Sequence, residues 1–437
     1  GRGGGWGGGA GAGRPPSPRG GRAGPPPPPP PRLLGTTSPE DFAGSHWAQR
    51  LHLATAGQRG GDDFSDLFSL AAVDELISER GLRTPFLRVA KDGTTLPDRA
   101  FTAGGGVGAA IADQISDDRV LQLFADGATI VLQGLHRTWG PIREFSADLA
   151  ADLGHPVQVN AYITPSQNQG FADHYDVHDV FVLQVHGEKQ WTLHEPVLTA
   201  PLRDQPWTDR RADVEARADD PPYLQTILRP GDCLYLPRGW IHAARALGGV
   251  TAHLTIGVQG WTRHHLAQAL LDRASVRFAH ADAVRASLPL GVDLTDPDSL
   301  TSEVETAREA VLEAVRTLSA SEIVAVLRGR QRAAQRPAPI APLAQLAAGA
   351  ALQPHDRLRM RPHLMVDVLA EEGDEVTISS RAGRFGMTTA QLPALRRLLA
   401  QGEGEDGVRV GDLAESEEEA LAVARLLLRQ GLALVVG

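Results

Sequence analysis

The sequence predicts an α+β chain: a double-stranded β-helix (jelly roll), then a helical region, then a small α+β module. Three observations carry this prediction. From about residue 155 to 260 the apolar spacing has a period of two, in many short runs cut by Gly and Pro, as in an antiparallel sandwich or barrel. After Trp261 the spacing lengthens to a helical period, with S-x-x-E capping patterns at Ser302/Glu305 and Ser319/Glu322. Residues 1–37 are almost wholly Gly, Pro, Arg, Ala and Ser, with seven consecutive prolines at 25–31, a composition that cannot bury enough apolar surface to fold.

The elements follow in order. Residues 1–37 read as a disordered tail, and the fold is expected to begin near Ser38. Residues 38–55 read as an amphipathic helix anchored by Phe42, Trp47 and Leu51; 69–81 as a helix ending in a glycine cap; 115–126 as another helix; 128–135 as a buried β-branched strand. Val157, Val159, Ala161 and Ile163 alternate with Gln158, Asn160, Tyr162 and Thr164, predicting a strand with one polar face. Residues 179–185 predict a second strand, 186–189 a hairpin turn, and the stretch through Leu193 the returning strand. Strands at 224–228, 233–236 and 251–258 complete the jelly roll, residues 38–260. Helices near 303–318 and 320–332 occupy the region 261–345, which ends in a linker at 336–342. The first helix carries an apolar stripe (Val304, Ala307, Val311, Val315, Leu318) that fits a neighbour within the chain or a second copy. Residues 346–437 predict a strand at 375–379, helices at 389–400 and 416–430, and a last strand at 432–436, an order resembling a winged helix.

Composition excludes several classes. The 437 residues suggest two or three domains. Cys233 is the sole cysteine, which rules out a disulfide framework and points to a reducing, cytoplasmic setting. No apolar run approaches 18 residues and the first residues lack the apolar segment of a secretory signal. The first methionine is Met360, so the N-terminus is expected to be a fragment or a start-site artefact. The net charge is −10, and because the first 37 residues hold five Arg and no acid, the remainder stands at −15. Such a body argues against nonspecific nucleic-acid binding and suits a basic protein partner. Residues 384–437 carry eight acids and six Arg, so no direct DNA binding is expected of the last module.

The chemistry-bearing residues cluster in the strand-rich part. In His174-Tyr175-Asp176 an imidazole and a carboxylate stand two apart, on one face if the segment is extended. A turn and strand, 231–241, then deliver His242. Two histidines and one carboxylate with open positions match the facial triad of non-haem Fe(II) oxygenases, although Mn, Co, Ni or Zn suits the same donors. His178 falls on the same face if the strand is straight, yet reads as non-ligating. Lysine occurs only at Lys91 and Lys189 among 43 basic residues. Lys189 alternates with Trp191 and Leu193 on an apolar face, where an ammonium needs an anion; a solvated lysine beside a turn is the competing reading. Asn160 and Tyr162 share a polar face that either lines a cavity or meets solvent.

Taken together, these motifs resemble the JmjC-type ribosomal oxygenases of the cupin superfamily. The resemblance runs through Gly127–Gln133, Trp139-Gly140-Pro141-Ile142, Asn160–Pro165, His174–Gln184, Gly187–Trp191 and the His242 loop. It implies a JmjC jelly roll, a helical dimerisation region and a C-terminal winged helix. It implies Fe(II) at His174, Asp176 and His242, and 2-oxoglutarate as co-substrate contacted by Lys189, Asn160, Tyr162 and Thr255. The implied reaction is hydroxylation of one Arg or His side chain of a ribosomal protein, by a homodimer, with release of succinate and carbon dioxide. Some bacterial members carry Arg where Lys189 stands, so Lys points towards the His-hydroxylating branch. The competing functions are a 2-oxoglutarate oxygenase acting on a small molecule or free peptide, and a non-catalytic cupin-like regulator.

Overall fold

The computed structural model describes residues 29–91, 93–166, 168, 171–401 and 406–436. Most of the expected tail, 1–28, lies outside the described residues. Its last part is folded, which corrects the boundary at Ser38. Pro29–Leu34 forms helix α1, and Leu33 and Leu34 are buried in the main core. Arg32 is buried between Asp62 at 2.6 Å and Asp66 at 2.5 Å. Proline is well placed in the first turn of a helix, and two leucines supply the burial that the Gly/Pro composition conceals. Helix α2, Pro39–Ser45, is capped by Ser38, whose side chain accepts from the Asp41 amide. Two further helices, α3 (Leu70–Ser78) and α4 (Asp117–Ala125), match the predicted ones.

Nine strands form the jelly roll: β1 (His52–Ala54), β2 (Leu87–Lys91), β3 (Thr94–Thr95), β4 (Thr129–Leu132), β5 (Val157–Thr164), β6 (Asp179–His194), β7 (Leu224–Leu228), β8 (Cys233–Leu236) and β9 (Ile241–Val258). Their order is β1-β8-β6-β9-β5-β4-β2-β3, with β7 added to β6. β6 and β9 each serve two walls. The first half of β6 pairs with β8 and with the second half of β9; its second half pairs with β7 and with the first half of β9. The predicted hairpin turn at 186–189 is therefore not a turn. β6 runs through it, and the ladder with β9 shifts register between Leu247 and Ala252. Gly187 makes this possible. Its φ is +63°, and a Cβ there would lie 2.3 Å from the Val250 carbonyl oxygen. Helix α5, Gly140–Leu153, packs Ile142, Phe145 and Leu149 onto the core.

Beyond the barrel, α6 (Arg263–Phe278), α7 (Thr301–Arg316) and α8 (Ala320–Ala334) pack together. The Ser319/Glu322 capping box is present as predicted. Ser302/Glu305 is not a cap: a 3-10 turn at Pro297–Leu300 runs straight into α7, so Ser302 already lies in its first turn. Helix α9, Pro342–Ala351, starts inside the predicted linker and crosses the boundary drawn at 345/346. It belongs with the C-terminal unit, since Gln345 donates to the carbonyls of Leu428 and Ala433. That unit has its own core. It holds β10 (Arg357–Met360), the meander β11 (Asp367–Glu372), β12 (Glu375–Ser380) and β13 (Gly383–Thr388), helix α10 (Leu392–Gln401), β14 (Val408–Arg409), helix α11 (Glu417–Arg429) and β15 (Ala433–Val435). The last strand pairs with β10, and the meander precedes the two helices rather than following them.

Candidate metal centre and co-substrate pocket

The segment 171–178 is not a strand. It is irregular backbone held by one bridge, in which the His174 and His242 amides each donate to the other's carbonyl, at 3.3 and 2.8 Å. The Gly239 amide donates to the Asp176 carbonyl at 3.0 Å. The loop 237–240, tightened by Gly239 at φ +92°, thus locks His174, Asp176 and His242 into one place. This corrects the same-face argument from strand geometry. It also explains His178, which packs on Gly257 and stands outside the cluster.

The donor atoms of His174, Asp176 and His242 all lie within 4.8 Å of one another. The two imidazoles are 4.4 Å apart at their centroids, and His242 Nε2 is 3.8 Å from Asp176. Each Nδ1 is engaged by a nearby backbone carbonyl: His174 by Ala172 at 2.7 Å, His242 by Trp240 at 3.0 Å. That fixes the tautomer with Nδ1 protonated and leaves Nε2 free to ligate. Burial, and then the neighbouring His174, pushes His242 down to about 4, so it is neutral at pH 7. Burial works to raise Asp176, but His178, His242, His174 and Arg88 together hold it below the usual carboxylate range. His242 therefore presents a neutral nitrogen and Asp176 an anionic oxygen, the protonation states that a divalent metal requires of these ligands.

The same cavity contains Lys189, Tyr162, Thr164, His253 and Thr255. Lys189 is 3% exposed. Its Nζ lies 3.3 Å from Thr164 Oγ1 and 3.5 Å from His253 Nδ1, with no carboxylate in ion-pair reach among the described residues. Burial pulls it down to about 7. His253 stacks on Tyr162 at 5.1 Å and is driven well below its ordinary value by burial and by Lys189. Trp191 meets His253 edge-on at 5.4 Å, and its buried Nε1 has no partner. A buried ammonium without an anion and an unused indole N–H are what a bound oxyanion would satisfy.

Six of the seven sequence-derived residues thus converge: His174, Asp176, His242, Lys189, Tyr162 and Thr255. Asn160 does not line the cavity. It shares the face of Tyr162 and Thr164 but sits further along β5, where its Oδ1 accepts from the Gly134 amide at 3.1 Å. Thr164 and His253 were missed as site residues. The signal for Thr164 was the same alternation that marks Tyr162, and His253 is the register partner of Tyr162 two residues before Thr255. Arg88 was also missed. Its charge acts on the Tyr162 hydroxyl, and it lies 5.5 Å over the Phe171 ring.

Comparison with known proteins agrees with this geometry. Residues 143–266 match the JmjC domain family. Ribosomal oxygenase 1 of Gallus gallus is 28% identical over 230 residues, 51% of this chain and 35% of that protein. The Homo sapiens protein of the same name is 41% identical over 116 residues, 26% of this chain and 17% of its own length. The bifunctional lysine-specific demethylase and histidyl-hydroxylase NO66 of Drosophila persimilis is 41% identical over 88 residues, 20% of this chain and 12% of its own. The chain thus spans about a third or less of the length of these curated relatives. Among solved structures, Escherichia coli ycfD superposes with a TM-score of 0.54 at 18% identity, covering 92% of this chain and 100% of that one. Its complex with cobalt and 2-oxoglutarate superposes at 0.51, with 18% identity and coverage of 92% and 99%. Residues 143–266 thus match the JmjC domain, and the chain is similar in sequence to the ribosomal oxygenases and in fold to ycfD.

Proposed function

We propose that this protein is an Fe(II)- and 2-oxoglutarate-dependent dioxygenase that hydroxylates a histidine side chain of a ribosomal protein. The observation that carries the reading is the pairing of a three-donor metal cluster with a buried lysine that has no carboxylate, in one cavity. The donor set suits iron(II), which would supply dioxygen activation coupled to oxidative decarboxylation of 2-oxoglutarate. The chain's own residues do the rest. His174, Asp176 and His242 hold the metal from one side and leave positions free. Lys189 and Thr164 receive the distal carboxylate, and with that anion present Lys189 keeps its proton. Tyr162 and His253, stacked against each other, form a rigid wall, and the enclosing strands exclude water. Asn160 acts at one remove, by fixing the Gly134 turn.

Histidine is favoured over arginine by charge. Asp176 is the only acid lining the cavity among the described residues, and the metal claims it. A substrate guanidinium entering the cavity would find no carboxylate left to receive it, whereas a neutral imidazole carries no such cost. A relative named as a histidyl-hydroxylase supports the same choice. The acidic body suits a basic ribosomal protein.

The proposal extends to a homodimer through α6–α8, where Leu271 and Val276 are 61% and 60% exposed, and to action in the cytoplasm without direct DNA binding. No helix among the described residues is long and apolar enough to cross a membrane. The test is to load the protein anaerobically with Fe(II) and 2-oxoglutarate, admit air with ribosomal proteins, and read intact masses. One ribosomal protein gains one oxygen atom, on a histidine, and His174→Ala abolishes the gain. Succinate formation without any modified ribosomal protein would move the substrate to a small molecule or free peptide. Neither succinate nor bound iron would leave the regulator.

A further inference from the structure

A second cleft, of about 840 Å³, lies where three parts of the chain meet: α5 with the turn before it, the segment 333–339, and strands β10 and β15 of the C-terminal unit. The reaction proposed above makes no use of it. Five arginines line it: Arg137, Arg143, Arg336, Arg359 and Arg361. Elsewhere in the chain some arginines pair with acids, as Arg32 does with Asp62, Arg83 with Asp113, Arg277 with Glu322 and Arg330 with Asp272, and others do not. The cleft is distinguished by gathering several that do not in one concavity. Arg137, Arg143, Arg336 and Arg359 make no ion pair and no side-chain hydrogen bond among the described residues, and Arg143 Nε is buried without a partner. Arg361 reaches only carbonyl oxygens, those of Ala338 and Gly431, at 2.5 and 3.2 Å. Two acids share the lining, and one of them, Asp148, faces His363 at 3.1 Å. An excess of fixed positive charge thus gathers in one concavity of a chain whose net charge is −10.

Like charges held together in a concavity repel unless an anion sits between them. Guanidinium is always charged and presents a planar fork that matches phosphate oxygens in pairs. The size is that of a small-molecule pocket rather than of a polymer track. Outside the cleft the acidic body repels a long polyanion. We propose that this cleft binds a compact chain of two or three phosphates, free or carried on a nucleoside, and that the ligand ties the C-terminal unit to the barrel.

The test is titration calorimetry on the full-length, metal-free protein at physiological salt, with inorganic tripolyphosphate, ATP and sulfate in separate runs. The expected result is one site per chain for tripolyphosphate, for ATP, or for both, with sulfate far weaker. Binding to tripolyphosphate identifies the phosphate chain itself as the recognised group; binding to ATP alone assigns part of the recognition to the nucleoside. Arg137→Gln, at an exposed position that a neutral side chain does not unfold, weakens binding about tenfold or more. The pair Arg143→Gln with Arg359→Gln abolishes it, and an unchanged thermal midpoint confirms that the variant is folded. Lys189→Met binds as the wild type does. Affinity equal to that for sulfate and indifferent to Arg137→Gln would overturn the proposal. So would loss of binding in Lys189→Met, or binding confined to an RNA oligonucleotide or an acidic peptide that tripolyphosphate does not displace.

Discussion

In the barrel the apolar side chains are buried, and two polar groups in the cavity are left incompletely served: the Lys189 ammonium, which has no carboxylate beside it, and the Trp191 N–H, which has no partner. In helices α6–α8 the reverse holds. Only Ala269, Ala274, Ala314 and Ile323 are buried, while Leu266, Leu271, Val276, Val304, Leu312 and Val324 face outwards. The polar contacts there are already made, as between Arg277 and Glu322 at 2.6 Å. The barrel has a complete core and an incomplete site; the helices have a complete polar surface and an incomplete core. The first condition is that of a pocket awaiting an ion and an anion, the second that of a surface awaiting a second apolar surface.

Substitutions that remove one deficit and leave the other sharpen this contrast. The largest effect is expected of Asp176→Ala, which removes the anionic donor of the metal cluster. Removing groups that merely orient a ligand costs 10–100-fold, so turnover should fall by more than about 100-fold, read as succinate release, with the oligomeric mass unchanged. Leu271→Glu with Val276→Glu should do the opposite. Each buried aliphatic side chain contributes about 1.5–3 kcal/mol, and a twofold interface counts each change twice. Light scattering should then give the 46.6 kDa chain mass in place of twice that value, while the barrel still binds metal. A wild-type protein already at the single-chain mass would break the comparison on the helical side. The smallest effect is expected of Gly187→Ala, which forces a Cβ against the Val250 carbonyl at positive φ. The strain is of order 1–3 kcal/mol, read as a lower unfolding midpoint in urea.

The sequence disclosed the site better than the path to it. The alternation at 157–164 gave both the strand and its polar face, because a half-buried strand must alternate. His174 and Asp176 do come together, but not for the reason the spacing suggested, since their common direction comes from the His174–His242 bridge and the Gly239 turn, which are long-range contacts with no local signature. Gly187 illustrates the same limit. A glycine between two β-runs reads as a turn, and only the distant Val250 carbonyl makes it a bulge. Leu33 and Leu34 were hidden by the prolines before them. Ser302/Glu305 matched a capping box in letters, but the turn at Pro297–Leu300 had already begun the helix. Arg88 comes from a strand far from the motif, and its meeting with Tyr162 required the fold.

The central claim is that the buried Lys189 is completed by a dicarboxylate. In the free protein burial pulls Lys189 down to about 7, and an anion beside it raises it again. The complex therefore binds more protons than the free protein above that value, so rising pH opposes binding. Calorimetric titration of 2-oxoglutarate into the Mn(II)-loaded protein from pH 6 to 9 tests this directly. The account predicts an affinity that is level below about 7 and falls up to tenfold per pH unit above it, with Lys189→Met about 10–100-fold weaker and without that slope. Equal affinity and the same pH profile in Lys189→Met would contradict it.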